Sequence, residues 1–268
     1  MRRPQAPFME YGFYFHNMRG YDAYKFFIIS LIEKMNAIPY SIIYREKVSR
    51  ENLIEKDFGN SKIIDIELQV SNQETLVDLM NDTSKRISRV VFKKCTDTVL
   101  GVYEYAVITP ASVEFTENDS RCVAILVEGE AFSIIGGETS RKRKKIATQK
   151  QKKIAAKALK CFKLLVDSLT PSYAAITFEY GLETPEKLKL DSNSYGFFDF
   201  YLSNKHFSFE SIRHLQNSCP ECFFETLSKG SLIISSPFFR NDKNDFPDDH
   251  SRYDLSKNVA NLISRVLK

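Results

Sequence analysis

One segment of this sequence carries an unusual concentration of positive charge. Eleven lysines and arginines, with no acidic residue among them, occur between residues 141 and 163. Like charges three or four residues apart on a helix repel by about 0.2–0.5 kcal/mol per pair, so an anion or facing carboxylates would stabilise a helix here. The predicted polyanion- or partner-binding residues are Arg141, Lys142, Arg143, Lys144, Lys145, Lys152 and Lys153, and the same run contains Lys150, Lys157, Lys160 and Lys163.

Three interpretations of this basic run stay open. The run can be the solvated outer face of a helix whose apolar side packs on a sheet, which is the usual role of a charged run. It can bind nucleic acid or another polyanion, with counterion release and a strong dependence on salt. It can also bind an acidic protein partner.

The five cysteines are an odd number without the spacing of a disulfide framework, which favours free thiols in a reducing compartment. Two of them form the motif Cys219-Pro220-Glu221-Cys222. The motif follows a predicted helix and enters a strand, so it lacks the helix N-terminus that activates a redox cysteine. A zinc site would need two further ligands, for which His214 and His206 are the nearest candidates. A structural loop is the favoured interpretation, with metal binding and redox chemistry as alternatives.

Carboxylates suggest a second kind of chemistry. Asp65 and Glu67 are two residues apart in a predicted strand, so both face one side, as the metal ligands of a nuclease do. The lysine expected two residues further on is Gln69, and an exposed strand face is the favoured interpretation. The acidic stretch from Asp242 to Asp254 lacks the calcium-loop pattern and its glycine. We find no catalytic constellation around the four histidines and no phosphate-binding loop, so the sequence implies no metal and no cofactor.

The elements that position these residues follow from apolar periodicity. Helices are predicted at 21–36, from the capping pattern at 71–74 to about residue 86, and at 140–169, 209–217 and 253–267. Strands are predicted at 11–15, 40–44, 63–70, 87–94, 100–108, 122–135, 173–180, 195–202, 222–227 and 231–236. The predicted fold class is α/β, of the α+β kind, with mixed, mostly antiparallel sheets packed by helices.

The domain organisation is predicted to be a single compact protein over residues 1–268. The segments Tyr11-Gly12-Phe13-Tyr14-Phe15 and Tyr195-Gly196-Phe197-Phe198-Asp199-Phe200 both precede a polar turn and a helix. This echo is compatible with two similar halves, 1–137 and 138–268, and also with chance in a chain rich in phenylalanine.

Composition restricts the class of protein. The 43% of apolar and 27% of charged residues are typical of globular proteins, and no apolar stretch approaches the roughly 18–20 residues that span a bilayer. No secretion signal is recognisable at Met1-Arg2-Arg3-Pro4, so we expect a cytoplasmic protein without a membrane partner. The net charge of +4 hides a polarised chain, because outside residues 141–163 there are 27 basic against 34 acidic residues, a net of −7.

Several patches, taken in order, resemble the bacterial polymorphic-toxin immunity proteins of the class numbered fifty-two. They are Tyr11 to Phe15 leading through Met18-Arg19-Gly20 to Phe26-Phe27-Ile28, then the segment from Leu164 to Pro171 with Tyr173-Ala174-Ala175-Ile176, then Tyr195 to Ser203, Gly230 to Ser235 and the closing helix. The resemblance covers about half of the chain. It implies a compact α/β protein that works by binding, and it transfers no functional residue.

These observations lead to a functional hypothesis with two alternatives. We expect a non-enzymatic, cytoplasmic binding protein of a bacterial toxin-immunity or anti-phage defence system, whose partner is a toxin or a subunit of a defence complex. The first alternative is a nucleic-acid-binding subunit that uses residues 141–163. The second is a metal-dependent nuclease that uses Asp65 and Glu67.

Overall fold

The structure is a computed structural model that describes residues 8–18, 20–49, 61–70, 73–82, 85–92, 105–108, 122–128, 149–178, 181–190, 199–235 and 249–267. The strands in these residues are β1 (Phe8–Tyr14), β2 (Pro39–Ser49), β3 (Ser61–Gln69), β4 (Lys85–Phe92), β5 (Tyr105–Ile108), β6 (Cys122–Glu128), β7 (Tyr173–Phe178), β8 (Asp199–Ser203), β9 (Phe223–Leu227) and β10 (Gly230–Ile234). The helices are α1 (Gly20–Met35), α2 (Gln73–Asn81), α3 (Gln149–Leu169), α4 (Pro185–Leu190), α5 (Phe209–Ser218) and α6 (Asp249–Val266).

The described strands form one sheet in the order β3-β2-β4-β5-β6-β1-β7-β8-β10-β9. Every neighbouring pair in this sheet is antiparallel. Strand β1 lies inside the sheet, where it pairs with β6 on one side and with β7 on the other. The fold class predicted from the sequence, an antiparallel sheet packed by helices, is confirmed.

The side chains of β1 alternate between the two faces of the sheet, as the period of a strand requires. Met9, Tyr11 and Phe13 pack in one apolar core with buried residues of α1, α2 and α3. Tyr14 belongs to a second core, which contains buried residues of α4, α5 and α6. The sheet is therefore the middle of three layers, with α1–α3 on one face and α4–α6 on the other.

Gly12 allows the chain to approach the sheet closely on the α4–α6 face. A Cβ atom at this position would lie 2.5 Å from Cβ of Leu182, which is buried. Ala124 and Ala175 are the partners of Gly12 on the neighbouring strands, so a row of small residues receives Leu182. The segment before α4 is thus held directly against β1.

Two local predictions were wrong. Helix α2 ends at Asn81 instead of about residue 86, because β4 already begins at Lys85 and pairs with β2 from that residue onwards. Helix α4 was not predicted at all. It has only six residues, of which Pro185 and Leu188 are buried, and so short a segment shows no helical period.

The domain prediction is not settled by these elements. A single continuous sheet crosses the proposed boundary between residues 1–137 and 138–268, because β1 pairs with β7. The two similar halves stay a prediction. Among the described residues, no helix has both the length and the apolar character needed to cross a membrane.

Candidate functional site

Helix α3 carries the described part of the basic run. Its buried residues recur at helical spacing along one side: Ala155, Ala158, Cys161, Phe162, Leu165, Val166 and Leu169. This apolar side packs in the core of the α1–α3 face. The predicted helix is confirmed over residues 149–169, and residues 140–148 lie outside the described residues.

The opposite side of α3 presents lysines to solvent. Lys153, Lys157 and Lys160 are exposed and follow one another at spacings of four and three residues, so they lie along one side of the helix. We call these three residues the lysine face. No ion pair or hydrogen bond joins their side chains to any residue that the structure describes. Leu164, which is 40% exposed, continues the same line one turn further on.

Lys163, at the edge of the lysine face, behaves differently because it has an acidic partner. Its Nζ donates to Oε2 of Glu225 on β9, at 2.5 Å, with both side chains about one third exposed. One turn later, Asp167 receives a hydrogen bond from the Ser228 hydroxyl, and its backbone carbonyl oxygen accepts one from Lys229 Nζ at 2.9 Å. These contacts hold this flank of α3 against the β9–β10 hairpin.

The seven candidate binding residues are only partly visible in this arrangement. Lys153 lies on the lysine face, and Lys152 lies within α3 with a side chain that is not among those described. Arg141, Lys142, Arg143, Lys144 and Lys145 lie outside the described residues. The structure adds Lys157 and Lys160 as exposed members of the same surface. Their spacing was visible in the sequence, whereas the pairing of Lys163 with Glu225 joins distant elements and was not.

Cys219 and Cys222 form a disulfide with a Cα–Cα distance of 5.7 Å. The expectation that the cysteines are free thiols is therefore wrong for this pair, whereas Cys122 and Cys161 are free and buried. Both disulfide cysteines are buried, and they close the turn between α5 and β9, where the N–H of Cys222 donates to the carbonyl of Cys219. Cys95 lies outside the described residues.

The suggested zinc ligands do not come together with these cysteines. His214 is exposed on α5, whereas the ring of His206 contacts that of His16, with 5.6 Å between the ring centroids. Within the described part of the chain, no group of three or more histidine, cysteine or acidic side chains could hold a metal ion.

The carboxylate pair proposed for a nuclease lies on β3, the last strand at one end of the described sheet. On β3, Asp65 pairs with Arg45 of β2 and Glu67 pairs with Ile43. Because the two acidic residues are two positions apart on a regular strand, they occupy the same face. Glu67 is exposed, and the side chain of Asp65 is not among those described. Of the acidic stretch, residues 242–248 lie outside the described residues, and Asp249 begins α6.

A histidine–serine cluster that the sequence did not indicate joins the ends of three neighbouring strands. The backbone N–H of His16, after β1, donates to Oγ of Ser172, before β7, at 2.9 Å. The same Oγ lies 3.3 Å from Nε2 of His206, after β8. Burial, helped by the nearby His16 and Lys205, lowers the pKa of His206.

This cluster has the residue types of a nucleophile and its base, but not their arrangement. Ser172 is only 5% exposed, and no described carboxylate contacts His206 to orient it. The cluster instead connects the strand ends by hydrogen bonds: the Ser172 N–H donates to the carbonyl of Tyr14, and the Ser172 carbonyl accepts from the N–H of Ser203. The cluster therefore has a structural role, which is to join the ends of β1, β7 and β8.

Glu10 is a buried carboxyl group on the other face of β1. It is 8% exposed, and its Oε1 accepts the backbone N–H of Leu182 at 3.2 Å. Burial raises the pKa of Glu10 to about 7; the Leu182 hydrogen bond opposes this shift, and the neighbouring Glu183 adds to it. Glu10 is enclosed beneath the segment before α4. Its protonation therefore affects the stability of the fold and does not serve to bind a ligand.

Comparisons with known proteins add little to this description. No protein-family model matches the chain, and no curated protein matches it. Among solved structures, the chain is similar to the Pseudomonas aeruginosa T6SS protein PA0821, with 12% sequence identity and a TM-score of 0.38 over 96% of this chain and 73% of that chain. This TM-score is too low for the likeness to support an argument about function.

Proposed function

We propose that this chain is a non-enzymatic binding protein of a bacterial toxin-immunity or defence system, and that it acts by protein–protein contact. In this proposal the lysine face of α3 is the surface that meets an acidic partner. The resemblance in element order to toxin-immunity proteins supports the biological context. The observation that carries the proposal is the contrast between Lys163, which has an acidic partner, and the lysine face, which has none among the described residues.

The lysine face destabilises α3 by repulsion between like charges, and an acidic partner would remove that repulsion. Lys153 and Lys157 are separated by four residues and Lys157 and Lys160 by three, and each such pair of like charges destabilises a helix by about 0.2–0.5 kcal/mol. An acidic surface replaces this repulsion by attraction and speeds the encounter between the two molecules. The exposed Leu164 in the same line adds an apolar contact of the kind found at the centre of protein interfaces.

Nucleic-acid binding remains the second candidate, because the full run from Arg141 to Lys163 contains eleven positive charges. In that case the affinity for DNA or RNA falls steeply with salt, with a slope of about 0.9 per phosphate neutralised on duplex DNA. Charge reversal at Lys144, Lys145, Lys152 and Lys153 would then abolish binding. The two candidates therefore differ in the partner and in the dependence on salt.

The first prediction concerns the triple variant Lys153→Glu, Lys157→Glu, Lys160→Glu. We expect it to fold normally, because all three side chains are exposed. We also expect it to bind the acidic protein partner, which would be sought among the products of adjacent genes, about a hundredfold more weakly. Titration calorimetry at low and moderate salt measures this change. The matched control is Lys189→Glu, Lys205→Glu, Lys257→Glu, which changes the net charge equally at exposed positions outside α3 and is expected to keep the affinity.

Two results would contradict the proposal. One is equal weakening by the triple variant and by its control, which would indicate an effect of overall charge alone. The other is tight, salt-dependent binding of DNA or RNA that the lysine-face variant abolishes while the affinity for the protein partner stays unchanged. The nuclease alternative fails if Asp65→Ala with Glu67→Ala leaves the biological phenotype intact.

A further inference from the structure

Strand β9 is the last strand at one end of the described sheet, and its pairing identifies which of its backbone groups are unused. Leu227 and Gly230 flank the two-residue loop of the β9–β10 hairpin, so they form its closing hydrogen-bonded pair. Hydrogen-bonded and non-hydrogen-bonded pairs alternate along an antiparallel ladder. Phe223, Glu225 and Leu227 therefore bond to β10, and the N–H and C=O groups of Phe224 and Thr226 point away from the sheet.

These outward groups have no partner within the part of the chain that the structure describes. No hydrogen bond joins the backbone of Phe224 or Thr226 to a described residue outside the hairpin. Thr226 is exposed and Phe223 is 45% exposed, so no described segment covers these two side chains. An uncovered strand edge is a template on which an extended segment of another chain can pair.

Helix α3 runs beside this edge. Lys163 contacts Glu225, and Asp167 contacts the loop at Ser228, so the five residues from Lys163 to Asp167 run alongside β9 and its loop. Lys160 lies on the same flank of α3, about one turn before Lys163, because residues three and four apart are neighbours on a helix. A strand added outside β9 would thus lie next to exposed lysines.

We infer that the β9 edge binds an acidic, extended segment of the partner as an additional antiparallel or parallel strand, hydrogen-bonded to Phe224 and Thr226, with its carboxylates facing Lys160. This inference rests on the proposed function and specifies how the partner binds. Charge complementarity selects the occupant. Two copies of this chain paired through β9 would bring their lysine faces together, which like charge opposes.

A peptide and a proline variant test this inference. The probe is a fluorescein-labelled peptide of alternating valine and glutamate, whose binding is followed by fluorescence anisotropy. Thr226→Pro removes an outward N–H group without touching the bonds to β10, and Thr226→Val is the matched control that keeps the N–H. We expect Thr226→Pro to weaken peptide binding by about tenfold or more, Thr226→Val to keep it, and a lysine-for-glutamate peptide not to bind.

Hydrogen exchange on the unaltered protein gives a second measurement that does not depend on the folding of Thr226→Pro. We expect the amides of Phe224 and Thr226 to become protected when the peptide binds. The inference of strand addition is overturned, with the proposed function intact, by the following pair of results. The double variant Lys153→Glu with Lys160→Glu weakens peptide binding, whereas Thr226→Pro leaves the affinity unchanged and the amides of Phe224 and Thr226 exchange equally fast with and without peptide. If neither set of variants changes the affinity for the peptide or for the protein partner, both proposals fail.

The oligomeric state is the last discriminating result. A dimer seen by gel filtration, in which the amides of Phe224 and Thr226 are protected without any peptide, would make a second copy of the chain the occupant of the edge. That outcome would overturn the inference of an acidic partner segment.

Discussion

Glu10→Gln is expected to raise the free energy of unfolding at pH 8 by about 3 kcal/mol. The carboxyl group of Glu10 is buried on β1, and its pKa is raised from 4.5 to about 7, chiefly by that burial. Glutamine has the same shape, keeps the oxygen that accepts the Leu182 N–H, and cannot ionise. The variant therefore keeps the contact and removes the cost of a buried negative charge.

The sign of the dependence on pH follows from proton binding. Between pH 4.5 and 7 the folded protein holds the Glu10 proton more tightly than the unfolded chain does. The contribution of Glu10 to stability is therefore fully present below pH 4.5, declines as the pH rises towards 7, and is lost above it. Urea unfolding of both proteins from pH 4 to 9 measures this, and the two curves should converge at the acidic end.

A matched control separates this effect from a general change of charge. Glu33 is exposed on α1, so Glu33→Gln makes the same chemical change without burial and should alter the stability by no more than about 0.5 kcal/mol. Parallel curves for Glu10→Gln and the unaltered protein over the whole range of pH would show that Glu10 ionises normally, against this prediction.

Phe162→Ala is expected to destabilise the protein by about 3–5 kcal/mol, the usual cost of removing a fully buried aromatic side chain. Phe162 is completely buried on α3, and its ring lies 5.9 Å from that of Tyr11 and 6.1 Å from that of Phe13, centroid to centroid. It therefore holds α3 on the central strand of the sheet. Thermal and denaturant unfolding measure the loss.

Leu164→Ala on the same helix is the control for Phe162→Ala. Leu164 is 40% exposed, so its truncation removes less buried surface and should cost about 1 kcal/mol or less. The control also tests the proposed interface, because Leu164→Ala should weaken the protein partner's binding while leaving the fold stable. Equal losses of stability at the two positions would contradict the assignment of buried and exposed sides to α3.

Much of the fold was predictable from periodicity, because strong patterns depend only on neighbouring residues. The alternation in β1 and the helical spacing of the buried residues on α3 place both elements correctly. The end of α2 was not predictable, since its last predicted turn is recruited into β4 by pairing with β2. Helix α4 was missed because Leu188 alone cannot show a period.

The candidate site was predictable in composition but not in geometry. The sequence shows that lysines crowd α3, and helical spacing alone aligns Lys153 with Lys157 and Lys160. It cannot show that Glu225 reaches Lys163 or that β9 is an edge, because both facts depend on how distant segments pair. The disulfide between Cys219 and Cys222 was likewise missed, since a pair of cysteines three apart is compatible with a loop, a metal site or a bridge.

The position of β1 inside the sheet has a consequence for how the protein is made. During translation β1 leaves the ribosome before either of its neighbours, β6 and β7, has been synthesised. At roughly 5–20 residues per second, it waits on the order of ten seconds before Phe178 completes the second of these strands. Met9, Tyr11 and Phe13 have no sheet partner until β6 is synthesised, and only one until β7 follows. The nascent chain thus exposes these apolar side chains until their partner strands are made, at the stage when a chaperone or a neighbouring chain can capture it.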